Sequence, residues 1–232
     1  MADTCYSSIQ GLIMRGTRVD SCGAPITGGT DDVVVSEGFV SIGLSSVIED
    51  GTEYRRKNAN GRFAIDLRGP KQFSRYDLAF TFSGVNPALF ELVSGNVRVV
   101  TDYAGDDVGF AVDRDVVSDG FALEVWTAVP ASPDAECVVG EEGSGLYVYW
   151  LLPWVHNGVL GDHGIEDDAV DFVINAETKH GNQWGRGPYL VVPINVGGDA
   201  GILDSPGVLT SEPYFQRITS IAPPEPVCGY AA

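Results

Sequence analysis

Basic residues are scarce in this chain. Fourteen Lys and Arg stand against 32 Asp and Glu over 232 residues, a formal charge of −18. Such a surplus of acid excludes a protein that grips nucleic-acid phosphates, because that grip needs a basic patch. It suits a surface that stays dissolved or repels a polyanion. The surplus is uneven: residues 1–115 hold 11 basic and 16 acidic side chains, residues 116–232 hold 3 and 16. Long apolar runs are missing too. The longest, Leu146 to Val155, is interrupted by Pro153 and falls well short of the roughly 20 residues that cross a bilayer. The start, Ala2-Asp3-Thr4-Cys5, lacks the basic opening of a secretory signal, and no Asn-x-Ser/Thr acceptor occurs. The expectation is a chain folded in a cytosol, with no membrane insertion.

Cysteine and histidine are few. Cys5, Cys22, Cys137 and Cys228 form no Cys-x-x-Cys pair, so zinc and thioredoxin-type sites have no support. Spacing leaves open whether Cys5 and Cys22 pair or all four remain thiols. Only three histidines are present, and Gly-x-Ser-x-Gly, His-Glu-x-x-His, Ser-x-x-Lys and phosphate-loop patterns are all absent. The expectation is a protein that is not an enzyme and needs no cofactor.

What is plentiful is glycine (29), proline (13) and hydrophobic side chains (44%). A core can form, and many short strands joined by turns are the natural use of that composition. Period-two alternation predicts strands at 33–35, 39–44, 63–67, 76–82, 97–101, 110–115, 121–128, 146–155, 170–177, 189–193 and 214–221. One helix is predicted at about 86–94. Asn86 is suited to cap it, Pro87 to open it and Gly95 to end it. The fold class is therefore mainly β and antiparallel with one short helix. The domain reading is an N-terminal arm (1–32, with a short strand at 10–17), one β domain (33–221) and a Pro-rich C-terminal arm (222–232). Long connections fall at 49–61, 130–144 and 194–212. Connections beyond about 12–15 residues often carry function.

Three groups of residues are candidate sites. The polar excursion at 49–61 contains Tyr54, Arg55, Arg56, Lys57, Asn58 and Asn60, the one basic cluster in an acidic chain. Three adjacent cations suit the acidic face of a neighbouring copy, and equally suit a solvated loop. Around residue 160, His156, Asp162, His163, Glu166, Asp167 and Asp168 mix imidazole with carboxylate. That mixture suits zinc, manganese or iron, but the spacing fits no standard ligand pattern. A solvated acidic loop is the competing reading. Trp150, Trp154, Trp184 and Tyr189 are either core or a sugar-binding platform.

The segments Ser36-Glu37-Gly38-Phe39-Val40-Ser41, Lys57-Asn58-Ala59-Asn60-Gly61 and Val85-Asn86-Pro87-Ala88-Leu89-Phe90-Glu91-Leu92-Val93-Ser94-Gly95 follow in an order that resembles the major tail proteins of long-tailed bacteriophages, especially those of actinobacteria. The likeness covers about residues 9–100. It implies a β-sandwich or half-barrel with a flanking helix and no catalytic residues. It further implies hexameric rings stacked into a tail tube, assembled in the host cytoplasm. Such a tube surrounds a tape-measure protein, meets tail terminator and tip proteins, and passes genome DNA without binding it. The resemblance assigns ring-to-ring contact to the 49–61 loop. A DNA channel should be acidic, which makes Glu124, Asp171 and Glu177 lumen candidates. The alternative is a monomeric β-sandwich that binds a ligand or decorates a capsid. A metal-dependent hydrolase using residues 156–168 is a third reading.

Overall fold

The structure is a computed structural model, and it describes residues 10–116, 120–130, 145–164, 170–195 and 197–231. It is mainly β, with antiparallel sheets and one short helix. The main sheet runs in the order β2 (Val33–Ser36), β1 (Gly11–Val19), β9 (Gly120–Ala128), β10 (Tyr147–Leu160), β11 (Phe172–Thr178), β6 (Gln72–Phe82) and β3 (Phe39–Glu49). The 14-residue strand β10 carries two partners on one edge. Its first part pairs with β14 (Phe215–Thr219) and its last part with β11. The sheet curls until Phe39 of β3 stands against Gly11 of β1, where a Cβ would strike the Phe39 ring. This is the half-barrel geometry.

Both faces of the central strands are covered. Along β9, Phe121, Leu123 and Val125 join one core with Met14, Phe80, Phe82, Leu152 and Ile174. Helix α1 (Pro87–Val93) closes that core with Leu89, Phe90, Leu92 and Val93. The Asn86 side chain accepts from the Leu89 amide at 3.4 Å, and Pro87 stands in the first turn, as the sequence predicts. The alternate residues of β9, Ala122 and Trp126, lie in a second core with Tyr149, Leu151, Trp154 and Trp184. Its lid is the segment from Trp184 to Val208, which includes the short pair β12 (Val192–Pro193) and β13 (Ala200–Gly201) and buries Val191, Val192, Leu203 and Val208. A further hairpin, β7 (Val97–Thr101) and β8 (Asp107–Val112), flanks the helix. Gly158 of β10 lies so close to α1 that a Cβ there would overlap the Val93 carbonyl oxygen.

Several expectations are corrected. The short strand expected at 10–17 is present, but residues 11–19 lie within the sheet rather than in an arm. They form a strand between β2 and β9, with Met14 and Thr17 fully buried. The C-terminal segment is not free either. The Val227 and Ala231 amides donate to Val35 and Val33 along the outer edge of β2, and the Tyr230 hydroxyl donates to Glu91 at 2.7 Å. The 194–212 connection contributes Leu203 and Val208 to the second core. The 49–61 excursion is half strand: β4 (Glu53–Lys57) pairs with β5 (Phe63–Arg68) as a separate ribbon. Nearly all of the 130–144 connection lies outside the described residues.

Candidate functional site

Strands β3 and β6 form one long hairpin, and the β4–β5 ribbon prolongs it beyond the sheet. The ribbon turns at Asn60-Gly61, with Gly61 at φ 79°, the left-handed conformation that a tight turn asks of glycine. The Asn58 amide donates to Arg62 O at 2.7 Å, and Asn60 Oδ1 accepts from the Arg62 amide. Asn58 and Asn60 are therefore the ribbon tip.

Every residue of β4 and β5 is exposed, yet the ribbon has two different faces. Tyr54 lies opposite Leu67, and Arg56 opposite Ile65. Directly opposed residues share a face. Tyr54, Ile65 and Leu67 thus form an apolar face, exposed by 60%, 50% and 61%. The other face is charged. Arg55 bonds Asp66 at 3.0 Å, and Arg68 bonds Glu53 at 3.1 Å. The register shift at Arg56/Lys57 brings Phe63 opposite Lys57, where the Lys57 and Arg55 cations lie 5.2 and 5.5 Å from its ring. Isolated two-stranded ribbons are marginal in water. Tyr54, Ile65 and Leu67 together make an exposed apolar patch of the kind that interaction surfaces present, with Arg56 on the same face. The sequence located the basic residues but not this face, because Ile65 and Leu67 read as ordinary sheet positions.

The β3–β6 hairpin that carries the ribbon also exposes apolar side chains, Ile48 and Phe73 near the ribbon and Val40 and Leu44 farther along β3. Among the described residues β3 is the last strand of the sheet, an edge with no partner strand on its outer side. Beside it opens an apolar trough of about 290 Å³ between β3, β9 and β10.

The lumen candidates separate. Glu124 is fully buried, so it does not face a channel. It lies opposite Arg15 across β1 and β9 and accepts from Arg15 Nε at 2.5 Å, Arg15 Nη2 at 2.6 Å and the Tyr149 hydroxyl at 2.6 Å. The Arg15 guanidinium stacks on the Tyr189 ring at 3.3 Å, with Trp126 at 5.1 Å on β9. The reason is the 184–208 lid: it covers the face of β9 that alternation alone presents as solvent-facing. Glu177 is half-buried and paired with Arg75 at 2.7 Å, so its charge is largely answered. Asp171 is exposed just before β11.

Burial, then the Glu124 charge, push the Tyr149 hydroxyl well above the ordinary tyrosine value. A raised folded-state value means that the fold keeps a proton which the unfolded chain releases above about pH 10. Stability is therefore present below pH 10 and declines above it by about 1.4 kcal/mol per pH unit for this group. Tyr149→Phe is expected to cost about 1.5–3 kcal/mol at pH 7, as loss of a hydrogen bond to a charged group. It is also expected to make the loss of stability between pH 10 and 11 shallower. Urea unfolding across that range tests this, and equal slopes for both proteins would refute it. Tyr189 and Tyr230 are also raised, by burial first, so some slope remains.

The metal candidates are not brought together. His156 stands 3.7 Å from Glu177, while His163 packs on Phe172 and approaches the Gly161 carbonyl. Among the described residues no group of three or more His, Cys, Asp or Glu is placed to hold a metal ion. Glu166, Asp167 and Asp168 lie outside them, as do Cys5 and Cys137. Cys22 and Cys228 are exposed thiols. Trp154 and Trp184 are buried and Trp150 donates to Thr127, so the four aromatics do not form one open platform. No helix among the described residues is long and apolar enough to cross a membrane. No protein-family model matches the chain, and no curated protein matches it in sequence.

Proposed function

We propose that this chain is a self-assembling structural subunit that forms rings stacked into a tube, the tail tube of a long-tailed bacteriophage. The observation that carries the self-assembly reading is the amphipathic β4–β5 ribbon. Its apolar face of Tyr54, Ile65 and Leu67 is exposed, while its opposite face is satisfied by its own ion pairs. An element of this kind gains its stability from a partner. The outer edge of β3, without a partner strand among the described residues, offers the same chain a second surface of that sort.

Charge supports a second copy as the partner. The ribbon, residues 53–68, carries five cations and two carboxylates; the rest of the chain carries nine and thirty. A basic ribbon is drawn to an acidic body. The same acidic surplus suits a conduit that DNA crosses without adhering. In this reading Asp171 remains a channel candidate. Six-fold rings, the tape-measure, terminator and tip proteins as partners, and a place in the virion tail come from the sequence resemblance.

Negative-stain electron microscopy of the purified protein at rising concentration is the direct test. Stacked rings or tubes support the reading. A protein that stays monomeric at every concentration refutes it and favours a binding or decorating module.

A further inference from the structure

The trough beside β3 is shaped for apolar side chains. Phe39, Val40, Leu44, Val125, Trp150 and Tyr214 dominate its walls. The polar atoms of its two largest rings are already engaged: Trp150 Nε1 donates to Thr127 Oγ1 at 2.9 Å, and the Tyr214 hydroxyl donates to Gln216 Oε1 at 2.8 Å. Small-molecule sites are commonly about 300–1,000 Å³ and hold a few convergent polar groups to orient the ligand. At about 290 Å³, with Ser41 the one polar residue besides these rings, this trough fits that description poorly.

We infer that the trough is the receptor for the ribbon of a second copy, which inserts its Tyr54, Ile65 and Leu67 face there. The inference rests on the self-assembly reading and deepens it. The two surfaces match in chemistry: an exposed apolar stripe on a narrow ribbon, and an apolar slot lined by aromatic and aliphatic walls. The ribbon and the rest of the chain also differ in the sign of their net charge. The ribbon's surplus is three positive charges, and it docks on a body that is otherwise strongly acidic. Ribbon and trough are different surfaces of one chain, so the contact is heterologous. Such a contact repeats from copy to copy instead of stopping at a dimer.

Two defective variants test it. One is Ile65→Glu with Leu67→Glu, which spoils the ribbon and leaves the trough. The other is Val40→Glu with Leu44→Glu, which spoils the trough and leaves the ribbon. All four positions are exposed. Thermal melts check that both variants fold, and Val40→Glu alone replaces the second variant if it melts early. Each variant alone is expected to stop at the monomer or single ring. Mixed one to one, they retain one intact ribbon–trough contact per pair. They should then form a discrete species of twice the mass by light scattering. If wild-type protein forms tubes but the mixture gives no such species, or if the trough variant still forms tubes, the trough takes another occupant and this inference fails while the tube reading stands. Wild-type protein that never associates overturns both.

Discussion

Replacing Glu124 with glutamine is expected to lower the stability of the folded chain by about 3–5 kcal/mol, because it leaves the Arg15 guanidinium buried without its counter-charge. Arg15 and Glu124 are both buried, and their two hydrogen bonds are 2.5 and 2.6 Å long. The carboxylate also holds the Tyr149 hydroxyl, so the variant weakens the join between β1, β9 and β10 at one point. For a chain of this length, about 1 kcal/mol moves the melting temperature by about 2–4 °C. The expected drop is therefore roughly 6–20 °C, a large part of a domain's usual margin of about 5–15 kcal/mol. Replacing the cluster together, Arg15→Met with Glu124→Leu and Tyr149→Phe, is expected to cost much less, since apolar side chains of similar volume leave neither an orphaned charge nor an orphaned hydroxyl. Calorimetry of the three proteins decides the matter. A melting temperature for Glu124→Gln within a degree of wild type would show that the carboxylate is not the counter-ion described.

The second large effect concerns assembly rather than folding. Ile65→Glu with Leu67→Glu is expected to abolish tubes while leaving the melting temperature nearly unchanged, because exposed positions usually change stability by no more than about 0.5 kcal/mol. The reasoning is electrostatic as well as apolar. Two carboxylates on the ribbon's open face would meet a body already carrying thirty acids against nine bases. Reversing the basic cluster of Arg55, Arg56 and Lys57 is a poorer test. Arg55 is bonded to Asp66 and lies 3.9 Å from Glu53, so its reversal sets like charges against each other within the ribbon. That variant could lose the ribbon itself, and a loss of tubes would then say nothing about the contact. Particle counts by electron microscopy, with a thermal melt on the same sample, provide the readout. Abundant tubes from Ile65→Glu/Leu67→Glu would remove this face from the interface.

Much of the local structure was legible in the residues alone. Alternation located most of the strands, and Asn86-Pro87 located the helix start, because a cap and a turn depend on side chains within a few positions of each other. Asn60-Gly61 marked the ribbon turn for the same reason. The acid surplus and its concentration beyond residue 116 are also properties of the sequence itself. What period-two patterning cannot say is which face of a strand is covered. It groups Ala122, Glu124 and Trp126 on one side of β9, and only the 184–208 lid, some sixty residues away, makes that side an interior. The Arg15 and Glu124 charges belong to segments 109 residues apart, so their pairing follows from strand order alone. The ribbon reverses the case. Phe63, Ile65 and Leu67 have the pattern of a buried strand, but only cations approach Phe63, and Ile65 and Leu67 stay exposed among the described residues. Strand positions were thus decided locally, whereas burial was decided by what the rest of the fold brings alongside, which covers β9 on both faces and leaves the ribbon exposed.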